Sequence, residues 1–539
     1  MNRKLKFWLL AVFSSVLLSV GWFDKGTGLP LLLAFVPLLW IEEYFFENRD
    51  KYSSKAILSY IFPALVLWYT FDTWWVFNAS AVGVVIAILA NSTMFAVIFW
   101  FAHIIRRKLG SLAGYTALVV FWVYWEYFYM HGEITWPWLN LGNGLAHDIR
   151  FIQWYEYTGA LGGSFWILLS NILIFRLIKA YSSRKTTGKN VWLTLALTVL
   201  VVFVPMILSV YRFNTYKEKT DPRNIVIIQP NIDPYNEKFF GMNPAMQTQR
   251  ILQLAASKGD STTDYFVAPE TALNDDIWLN EIHENRSIRM IEAFMKNYPK
   301  AKFIIGATEY RRYEPGDSLS STARPLGESG FYYDSYNAAL QIDTTSVIQQ
   351  YFKSMLVVGV EKMPYARYLK FLQKLTLRLG GTFRSHATQA FRSNLYSRND
   401  KTVISPVICY ESVFGEYVTD YIKLGSDFIF IITNDGWWKN TPGYKQHNSF
   451  AALRAIENRR SIARSANTGM SSFVNQRGEF LQKTKWWTQD AIKATLNANR
   501  KLTFYTRHGD YIARFSGYVS LLIVLFYFLN AILLRVREK

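Results

Sequence analysis

Long apolar segments fill most of the first 211 residues and return near the end of the chain. They cover residues 7–23, 29–46, 57–77, 80–104, 113–131, 160–180, 191–211 and 515–534. Several hold about 20 apolar or weakly polar residues, enough to cross a bilayer as a helix. Pro30, Pro37 and Pro63 interrupt the second and third segments, and membrane helices tolerate proline. The pattern predicts about eight membrane spans, with a transmembrane bundle of seven helices in residues 1–211 and a last transmembrane helix at 514–535.

Between residues 222 and 505 the pattern changes to short β-branched runs that alternate with amphipathic stretches. The candidate strands are 224–232, 264–270, 302–310, 336–343, 403–411 and 427–435. Helical spacing of apolar residues appears in AMQTQRILQLAAS, RSIRMIEAFMKNY and QHNSFAALRAIENRR. Strands that are almost continuously apolar and alternate with helices predict an α/β sandwich with a buried sheet. Its chemistry is expected at strand ends, where loops emerge.

Charge and composition support a polytopic membrane protein and predict its orientation. Charged residues make up only 18% of the chain, below the roughly 25% of a soluble domain. One set of predicted span ends is basic, at Arg3–Lys6, Arg49–Lys55, Arg106–Lys108, Arg176–Lys189 and Arg535–Lys539, whereas the opposite short loops, FDKGTGLP and VFNAS, are nearly free of Lys and Arg. This asymmetry predicts cytoplasmic termini and an external 222–505 segment. Arg212 and Arg514 lie on the side that the rule disfavours, but long translocated domains are largely exempt from it.

The net charge of +19 raises the question of nucleic acid binding. Much of this charge belongs to the predicted cytoplasmic loops, and the external segment carries no recognisable nucleic-acid-binding motif. Anionic lipid head groups are the expected counter-charge, so the membrane is a predicted partner and nucleic acid is not.

The only cysteine, Cys409, ends an apolar β-branched run in VISPVICYESVFGE. An isolated cysteine is often a small buried residue, but an unpaired thiol in an oxidising compartment also suggests a reactive group. Glu270 ends the candidate strand DYFVAPE, and Lys353 follows the strand-like stretch SVIQQYF. A thiolate nucleophile, a carboxylate base and an amine that stabilises an oxyanion form a set suited to acyl transfer. Taken singly, Glu270 is compatible with a loop cap and Lys353 with a surface lysine.

The residues around these three positions resemble a known superfamily. Glu270 in APETAL, Lys353 in YFKSMLVVGVEKMP and Cys409 in ICYESVFGE are similar to the Glu-Lys-Cys triad of the nitrilase, or carbon-nitrogen hydrolase, superfamily. NDGWW, Gly443 with QH, RAIENRR and RSANTG match the downstream pattern. A nitrilase-like αββα sandwich placed between seven membrane helices and a last one is similar to the apolipoprotein N-acyltransferase family.

The resemblance implies a ping-pong reaction and further site residues. Cys409 would take the sn-1 acyl chain of a phospholipid, typically phosphatidylethanolamine, as a thioester and pass it to the α-amine of S-diacylglyceryl cysteine in an apolipoprotein. The implied supporting residues are Glu361, Asn337, Tyr410 and Glu411. The sequence departs from the family where LVVGVE replaces Leu-Val-Pro-Phe-Gly-Glu and where Ala-Pro-Glu replaces Trp-Pro-Glu. Because the glutamate spacing survives, we expect altered loop shape and acyl preference with the chemistry intact.

The resemblance also implies the setting of the reaction. The expected location is the inner membrane, with a periplasmic catalytic domain at residues 222–505 and cytoplasmic termini. The partners would be the phospholipid donor and the diacylglyceryl apolipoprotein acceptors, and the enzyme would work as a monomer. No cofactor and no metal are expected.

Two segments are candidates for lipid access. YARYLKFLQKLTLRLGG (365–381) has an amphipathic basic pattern typical of interfacial helices, with Leu369, Leu372 and Leu375 on its apolar face. It is interpreted as a membrane-dipping lid, and the alternative is a packed surface helix. The Trp-rich loop ITWPWLNLGN, with Trp136 and Trp138, is interpreted as an interfacial belt that lines lipid entry or serves only as an anchor.

Two other functions are compatible with parts of the sequence. A membrane-tethered amidase would use the same triad with water as acceptor, although it does not need seven leading spans. A transporter would explain the helices, but it predicts charged or broken helices at mid-membrane, of which the sequence has few.

Overall fold

The computed structural model describes residues 2–182, 188–238, 241–362 and 385–537. The chain forms two compact units. The helical unit comprises Met1–Phe77, Ala81–Thr215 and His508–Lys539, and the α/β unit comprises Asn78–Ser80 and Tyr216–Arg507.

The helical unit is built from eight long helices in the described residues. They are α1 (Arg3–Ser19), α2 (Val36–Glu47), α3 (Leu58–Thr73), α4 (Ala81–Leu109), α5 (Ser111–Tyr129), α6 (Tyr155–Ser182), α7 (Gly188–Thr215) and, after the α/β unit, α13 (Tyr511–Arg537). Pro37 lies in the first turn of α2, where its missing N–H costs no helical hydrogen bond. Pro63 lies inside α3, and the helix continues through it.

Seven spans in the described part of the chain are long and apolar enough to cross a membrane. They are Arg3–Trp22, Leu29–Glu47, Ser54–Asn78, Ala81–Leu109, Tyr155–Ser182, Lys189–Thr215 and Tyr511–Leu533. These helices confirm seven of the predicted spans. The remaining prediction, 113–131, also falls on a helix, α5, which is not one of the seven. Its C-terminal half is rich in Trp and Tyr and contains Glu126.

In the described residues, the α/β unit contains two sheets and five helices of five to 17 residues that separate or follow the strands. The strands are β1 (Pro222–Gln229), β2 (Tyr265–Val267), β3 (Leu273–Trp278), β4 (Lys302–Arg312), β5 (Arg324–Pro325), β6 (Tyr332–Ile342), β7 (Gln349–Phe352), β8 (Leu395–Tyr396), β9 (Val403–Ile408), β10 (Phe428–Thr433), β11 (Ser461–Ala466), β12 (Ser472–Val474), β13 (Phe480–Lys483) and β14 (Asp490–Asn497). The helices are α8 (Pro244–Lys258), α9 (Arg286–Met295), α10 (Gly415–Lys423) and α11 (Pro442–Asn458), with α12 (Phe504–His508) at the border of the two units.

The first sheet runs in the order β14-β1-β2-β4-β6-β5, with β3 on β4 and β7 on β6, and the second runs β13-β12-β11-β10-β9-β8. Strands β1, β2 and β4 are parallel neighbours, as are β9, β10 and β11. The rings of Tyr265 on β2 and Phe430 on β10 lie 5.2 Å apart, so the two sheets face each other. On the outer face of the first sheet, Phe266 and Val226 pack with Ile251 of α8 and Ile291 of α9.

The predicted αββα sandwich is confirmed, and each of the six candidate strands overlaps an observed strand. Both sides of these strands are buried, because one side meets the other sheet and the opposite side meets helices. This explains their continuous apolar runs, such as the fully buried FIFIIT of β10.

Candidate active site

Cys409 is the first residue after β9 and has a strained backbone. Its φ is +50°, in the left-handed region that a residue with a Cβ rarely adopts. A short 3₁₀ helix, Cys409–Val413, begins at this residue. Ser412 Oγ donates a 2.7 Å hydrogen bond to the Cys409 carbonyl oxygen. The chain therefore turns sharply at the strand end and holds the thiol at a fixed position, as expected of residues at functional sites.

Cys409 as a whole residue is 9% exposed. Burial raises the pKa of this thiol well above its ordinary value, and the charges of Glu270 and Asp435 raise it further. The charge of Lys353 and a hydrogen bond with Thr433 oppose the rise in pKa. The resting thiol is therefore protonated at neutral pH, and a base must remove its proton before or during attack.

Glu270 and Lys353 form a buried ion pair next to this thiol. Lys353, directly after β7, donates from Nζ to Glu270 Oε1 at 3.0 Å and to Glu361 Oε1 at 2.9 Å. Asn337 on β6 donates from Nδ2 to the same two oxygens, at 2.8 Å and 3.0 Å. The Asn434 backbone N–H donates to Glu270 Oε2 at 3.1 Å. The structure thus brings Glu270, Lys353, Glu361 and Asn337 into one hydrogen-bonded group.

Lys353 remains charged within this group. Burial acts to lower the pKa of Lys353, but Glu270 and Glu361 outweigh burial and raise it well above its ordinary value. Burial acts to raise the pKa of Glu361, whereas Lys353 and the backbone N–H of Val357 bring it below its usual range. A fixed cation therefore lies between two carboxylates and close enough to Cys409 to affect its pKa.

The loop that carries Glu361 shows how LVVGVE, which differs from the Leu-Val-Pro-Phe-Gly-Glu of the family, still positions the glutamate. The carbonyl oxygen of Val357 accepts from the N–H groups of Glu361 (2.9 Å) and Lys362 (3.1 Å), and Glu361 Oε2 accepts from the N–H of Val357 at 2.8 Å. Gly359 has φ +84°, which glycine adopts without strain. The replacement LVVGVE therefore still forms a closed turn that aims the glutamate at Lys353.

Glu411 lies under both the Cys409 turn and the segment after Lys353. Its Oε2 accepts from the backbone N–H of Ile408 at 2.8 Å, and its Oε1 accepts from the N–H groups of Ser354 and Met355 at 2.9 and 3.3 Å. Burial raises the pKa of Glu411, and the surrounding donors oppose that rise. Three tyrosine hydroxyls complete the shell: Tyr351 (2.7 Å), Tyr417 (2.5 Å) and Tyr421 (3.3 Å).

A second buried network supports the carbonyl side of Cys409. Asp435 Oδ2 accepts from Arg464 Nη2 at 2.6 Å, and its Oδ1 lies 2.9 Å from His447 Nδ1. His447 Nε2 lies 3.2 Å from the Cys409 carbonyl oxygen and 3.0 Å from Ser412 Oγ. Since Ser412 gives its only proton to that carbonyl, we assign Nε2 as a donor. Burial acts to raise the pKa of Asp435, but Arg464 and His447 hold it well below its usual range.

These three residues were not predicted as site residues. They come from NDGWW, QH and RSANTG, which matched a pattern without an assigned role. Lys238 was also missed; its Nζ donates to Thr271 Oγ1 at 2.5 Å, beside Glu270. Burial lowers the pKa of Lys238 to about 8, against the opposing charge of Glu270. These residues could have been found in the sequence as charged residues inside or just after an apolar run, such as the arginine of SIARSA.

The remaining predicted residues are placed as follows. Tyr410 is buried, and its ring lies 5.1 Å from that of Phe414. Trp138 is buried in the helical unit, 5.0 Å from the Trp75 ring and 5.6 Å from the Trp136 ring. A role for Trp136 and Trp138 in lipid access stays a prediction. Leu369, Leu372 and Leu375 lie outside the described residues.

The arrangement supplies the parts needed for acyl transfer through a thioester. A strained, buried thiol faces a carboxylate that can take its proton and a lysine that can stabilise an oxyanion. The α/β sandwich and this set of residues define a carbon-nitrogen hydrolase-type domain. A scan against protein-family models agrees, because "Carbon-nitrogen hydrolase" matches residues 293–501 and "Apolipoprotein N-acyltransferase N-terminal domain" matches residues 14–173.

Over most of its length the chain is similar to proteins of the apolipoprotein N-acyltransferase family. It is 29% identical to the apolipoprotein N-acyltransferase of Chlorobaculum tepidum, over 89% of this chain and 88% of that protein. It is 27% identical to the protein of the same name from Geobacter metallireducens, over 94% and 92% of the two chains. The N-terminal family match and both relatives extend over the apolar helices, and the chain is an integral membrane protein.

Proposed function

We propose that this protein transfers an acyl chain from a phospholipid to the N-terminal amine of diacylglyceryl apolipoproteins, with Cys409 as nucleophile. The single observation that carries the proposal is the Glu270–Lys353 ion pair beside the strained, buried thiol of Cys409. The relatives named apolipoprotein N-acyltransferase support the assignment of the substrates. Phosphatidylethanolamine is the proposed donor, and the chain is proposed to act as a monomer.

In the first half-reaction, Glu270 takes the thiol proton as Cys409 sulfur attacks the sn-1 ester carbonyl. A carbon–sulfur bond forms, and Lys353 stabilises the negative charge on the carbonyl oxygen. The ester carbon–oxygen bond then breaks, and Glu270 returns the proton to the leaving lysophospholipid oxygen. The products are an acyl thioester on Cys409 and a lysophospholipid.

In the second half-reaction, the α-amine of the diacylglyceryl cysteine attacks the thioester carbonyl. Glu270 accepts a proton from the attacking nitrogen, the carbon–sulfur bond breaks, and the proton passes to the leaving sulfur. An amide and the original thiol result. Because Asn337 and Asn434 hold Glu270 by three hydrogen-bond contacts together with Lys353, the carboxylate serves both steps without changing position.

The supporting residues are proposed to position these three. Glu361 and Asn337 orient Lys353 and Glu270, and Glu411 fixes the turn of Cys409. Tyr410 is proposed to shape the wall behind the nucleophile.

The proposed setting is the inner membrane, with the catalytic domain of residues 222–505 on the periplasmic side. The helices before residue 211 and the helix at 514–535 would anchor it, with both termini in the cytoplasm. The excess of Lys and Arg at one set of span ends supports this orientation.

The proposal is tested by intact-mass measurement of the full chain in detergent. With phosphatidylethanolamine, the wild type should gain the mass of one acyl chain, whereas Cys409→Ala should gain none. Addition of a synthetic diacylglyceryl peptide should move that mass to the peptide amine and regenerate the thiol. Cys409→Ser should also fail, because an alkoxide is far less accessible at neutral pH than a thiolate. An adduct on Cys409→Ala would contradict the assignment of the nucleophile.

The same measurement separates the proposal from the amidase alternative. An amidase would release the acyl group to water and would not acylate the peptide amine. Loss of the adduct at the same rate with and without the peptide, with no acylated peptide formed, would favour hydrolysis.

A further inference from the structure

A large cavity lies in the helical unit, and none of the residues that line it is named above as catalytic. Helices α4, α5 and α13 enclose a cleft of about 1010 Å³, here called the α4–α5–α13 groove. Its walls are almost entirely apolar and aromatic; they include Met94, Val97, Phe101, Phe121, Tyr124 and Leu521.

The α13 side of the groove combines a serine hydroxyl that is bonded within its own helix with a glycine that allows close packing. Ser520 Oγ donates to the Ser516 carbonyl of its own helix at 2.7 Å. At Gly517, a Cβ would lie 2.5 Å from the Tyr124 ring, so glycine allows α13 to approach α5 closely. The groove is thus a built feature of tightly packed helices.

One end of the groove carries a cation. Arg514 lines it, three residues after the start of α13, and its guanidinium lies 5.9 Å from the ring centre of Tyr127. The guanidinium also donates to the backbone carbonyl of His508. Phe528, which also lines the groove, follows Arg514 by 14 residues, so the groove extends about 21 Å along the helix. That length exceeds the roughly 15 Å depth of one leaflet of the hydrocarbon core.

Arg514 places a permanent positive charge at one end of an otherwise apolar groove. A guanidinium binds phosphate oxygens through charge-assisted, often bidentate hydrogen bonds. A phosphate bound at this end of the groove would complement that charge.

We propose that the α4–α5–α13 groove binds one membrane phospholipid, with an acyl chain along the groove and the phosphate at Arg514. Inside a bilayer, an apolar wall alone gives little selectivity, since lipid tails are as apolar as the side chains. Recognition therefore depends on the phosphate, and a lipid without one is bound far less well. The proposal rests on the membrane character of the helical unit and does not depend on the proposed acyl transfer.

The test is photolabelling of the full chain in lipid nanodiscs. A phosphatidylglycerol with a photoreactive acyl chain is compared with a diacylglycerol that has the same chain but no phosphate. After digestion, mass spectrometry should locate adducts on α4, α5 and α13 for the phospholipid. Arg514→Gln should reduce this labelling roughly tenfold, the effect of about 1.4 kcal/mol of binding free energy.

Two variants complete the design. Arg507→Gln removes an exposed arginine of the α/β unit and should leave labelling of the groove unchanged. Val97→Trp, which fills the groove, should reduce labelling even with Arg514 present. Equal labelling by the two lipids, or labelling unaffected by Arg514→Gln, would overturn the proposal. Formation of the Cys409 adduct is measured in parallel, so a failure of the groove is distinguished from a failure of the catalytic assignment.

Discussion

Replacement of Glu411 by glutamine is expected to impair acylation of Cys409 although Glu411 makes none of the proposed bonds to substrate. The carboxylate accepts from six donors and is fully buried. A glutamine keeps the shape, but its amide nitrogen cannot accept a hydrogen bond. If that nitrogen takes the Oε1 position, it faces four donors; if it takes the Oε2 position, it faces the N–H of Ile408 and the hydroxyl of Tyr421.

The second orientation costs less, because the Tyr421 hydroxyl can rotate while the Ile408 N–H cannot. One buried N–H without an acceptor costs about 1–3 kcal/mol, and the remaining hydrogen bonds lose the added strength of a charged acceptor. Together these effects should destabilise the working conformation of the Cys409 turn by about 2–4 kcal/mol. If this loss appears in full in the activation free energy, the acylation rate falls roughly 30- to 1000-fold.

The assay is the rate of acyl-adduct formation on the full chain, followed by intact mass, together with thermal unfolding. Tyr421→Phe is the matched control, since it removes one of the two longest of the six contacts and keeps the carboxylate; its rate should stay close to that of the wild type. If Glu411→Gln acylates within about threefold of the wild-type rate, the loss is under 1 kcal/mol and the reasoning on Glu411 is refuted.

Three further outcomes are expected. Lys353→Met should lower the acylation rate roughly 10²-fold, the scale of one oxyanion-stabilising donor, in the same intact-mass assay; a mild effect would assign Lys353 to structure alone. His447→Gln keeps a donor for the Cys409 carbonyl and should retain more activity than His447→Leu, for which a loss of about 1–3 kcal/mol is expected; equal rates would contradict this role. Burial raises the pKa of Glu309 from 4.5 to about 8, so its stabilising protonated form is lost as pH rises through about 8. As the pH rises from 4.5 to 8, the wild type should lose stability relative to Glu309→Gln by about 1.4 kcal/mol per pH unit, seen as a falling melting temperature. The exposed control Glu281→Gln should show the same pH dependence as the wild type.

Most of the α/β fold was predictable because its central strands are buried on both sides. Segments such as β9 and β10 are continuous apolar runs, and this alone indicates a strand between two layers. The residue after each run then marks the edge where side chains can converge, which is how Cys409 and Lys353 were found. In the structure β9 ends at Ile408, three residues before the end of the predicted strand 403–411, and β7 ends at Phe352, so Cys409 and Lys353 each directly follow a strand.

Strand β11 shows why other parts were not predictable. Its sequence, SIARSA, has two serines and an arginine, a composition typical of exposed segments, yet every residue is buried. Arg464 is compatible with the core only because Asp435 follows the neighbouring strand β10 and neutralises it. Such a pair depends on the register of two strands, which hydropathy does not encode. The network with His447 was therefore invisible until the strands were in place.

The electrostatics of the site suggest what separates acyl transfer from hydrolysis. Burial keeps the Cys409 thiol protonated, and Lys353 remains a cation between Glu270 and Glu361. In the reaction proposed above, the thiol proton passes to Glu270, and the thioester is attacked by a nucleophile that reaches Glu270. Water and an amine meet the same base there. We therefore infer that the triad does not choose between them, and that the choice of acceptor is made by the groups that control access to this buried position.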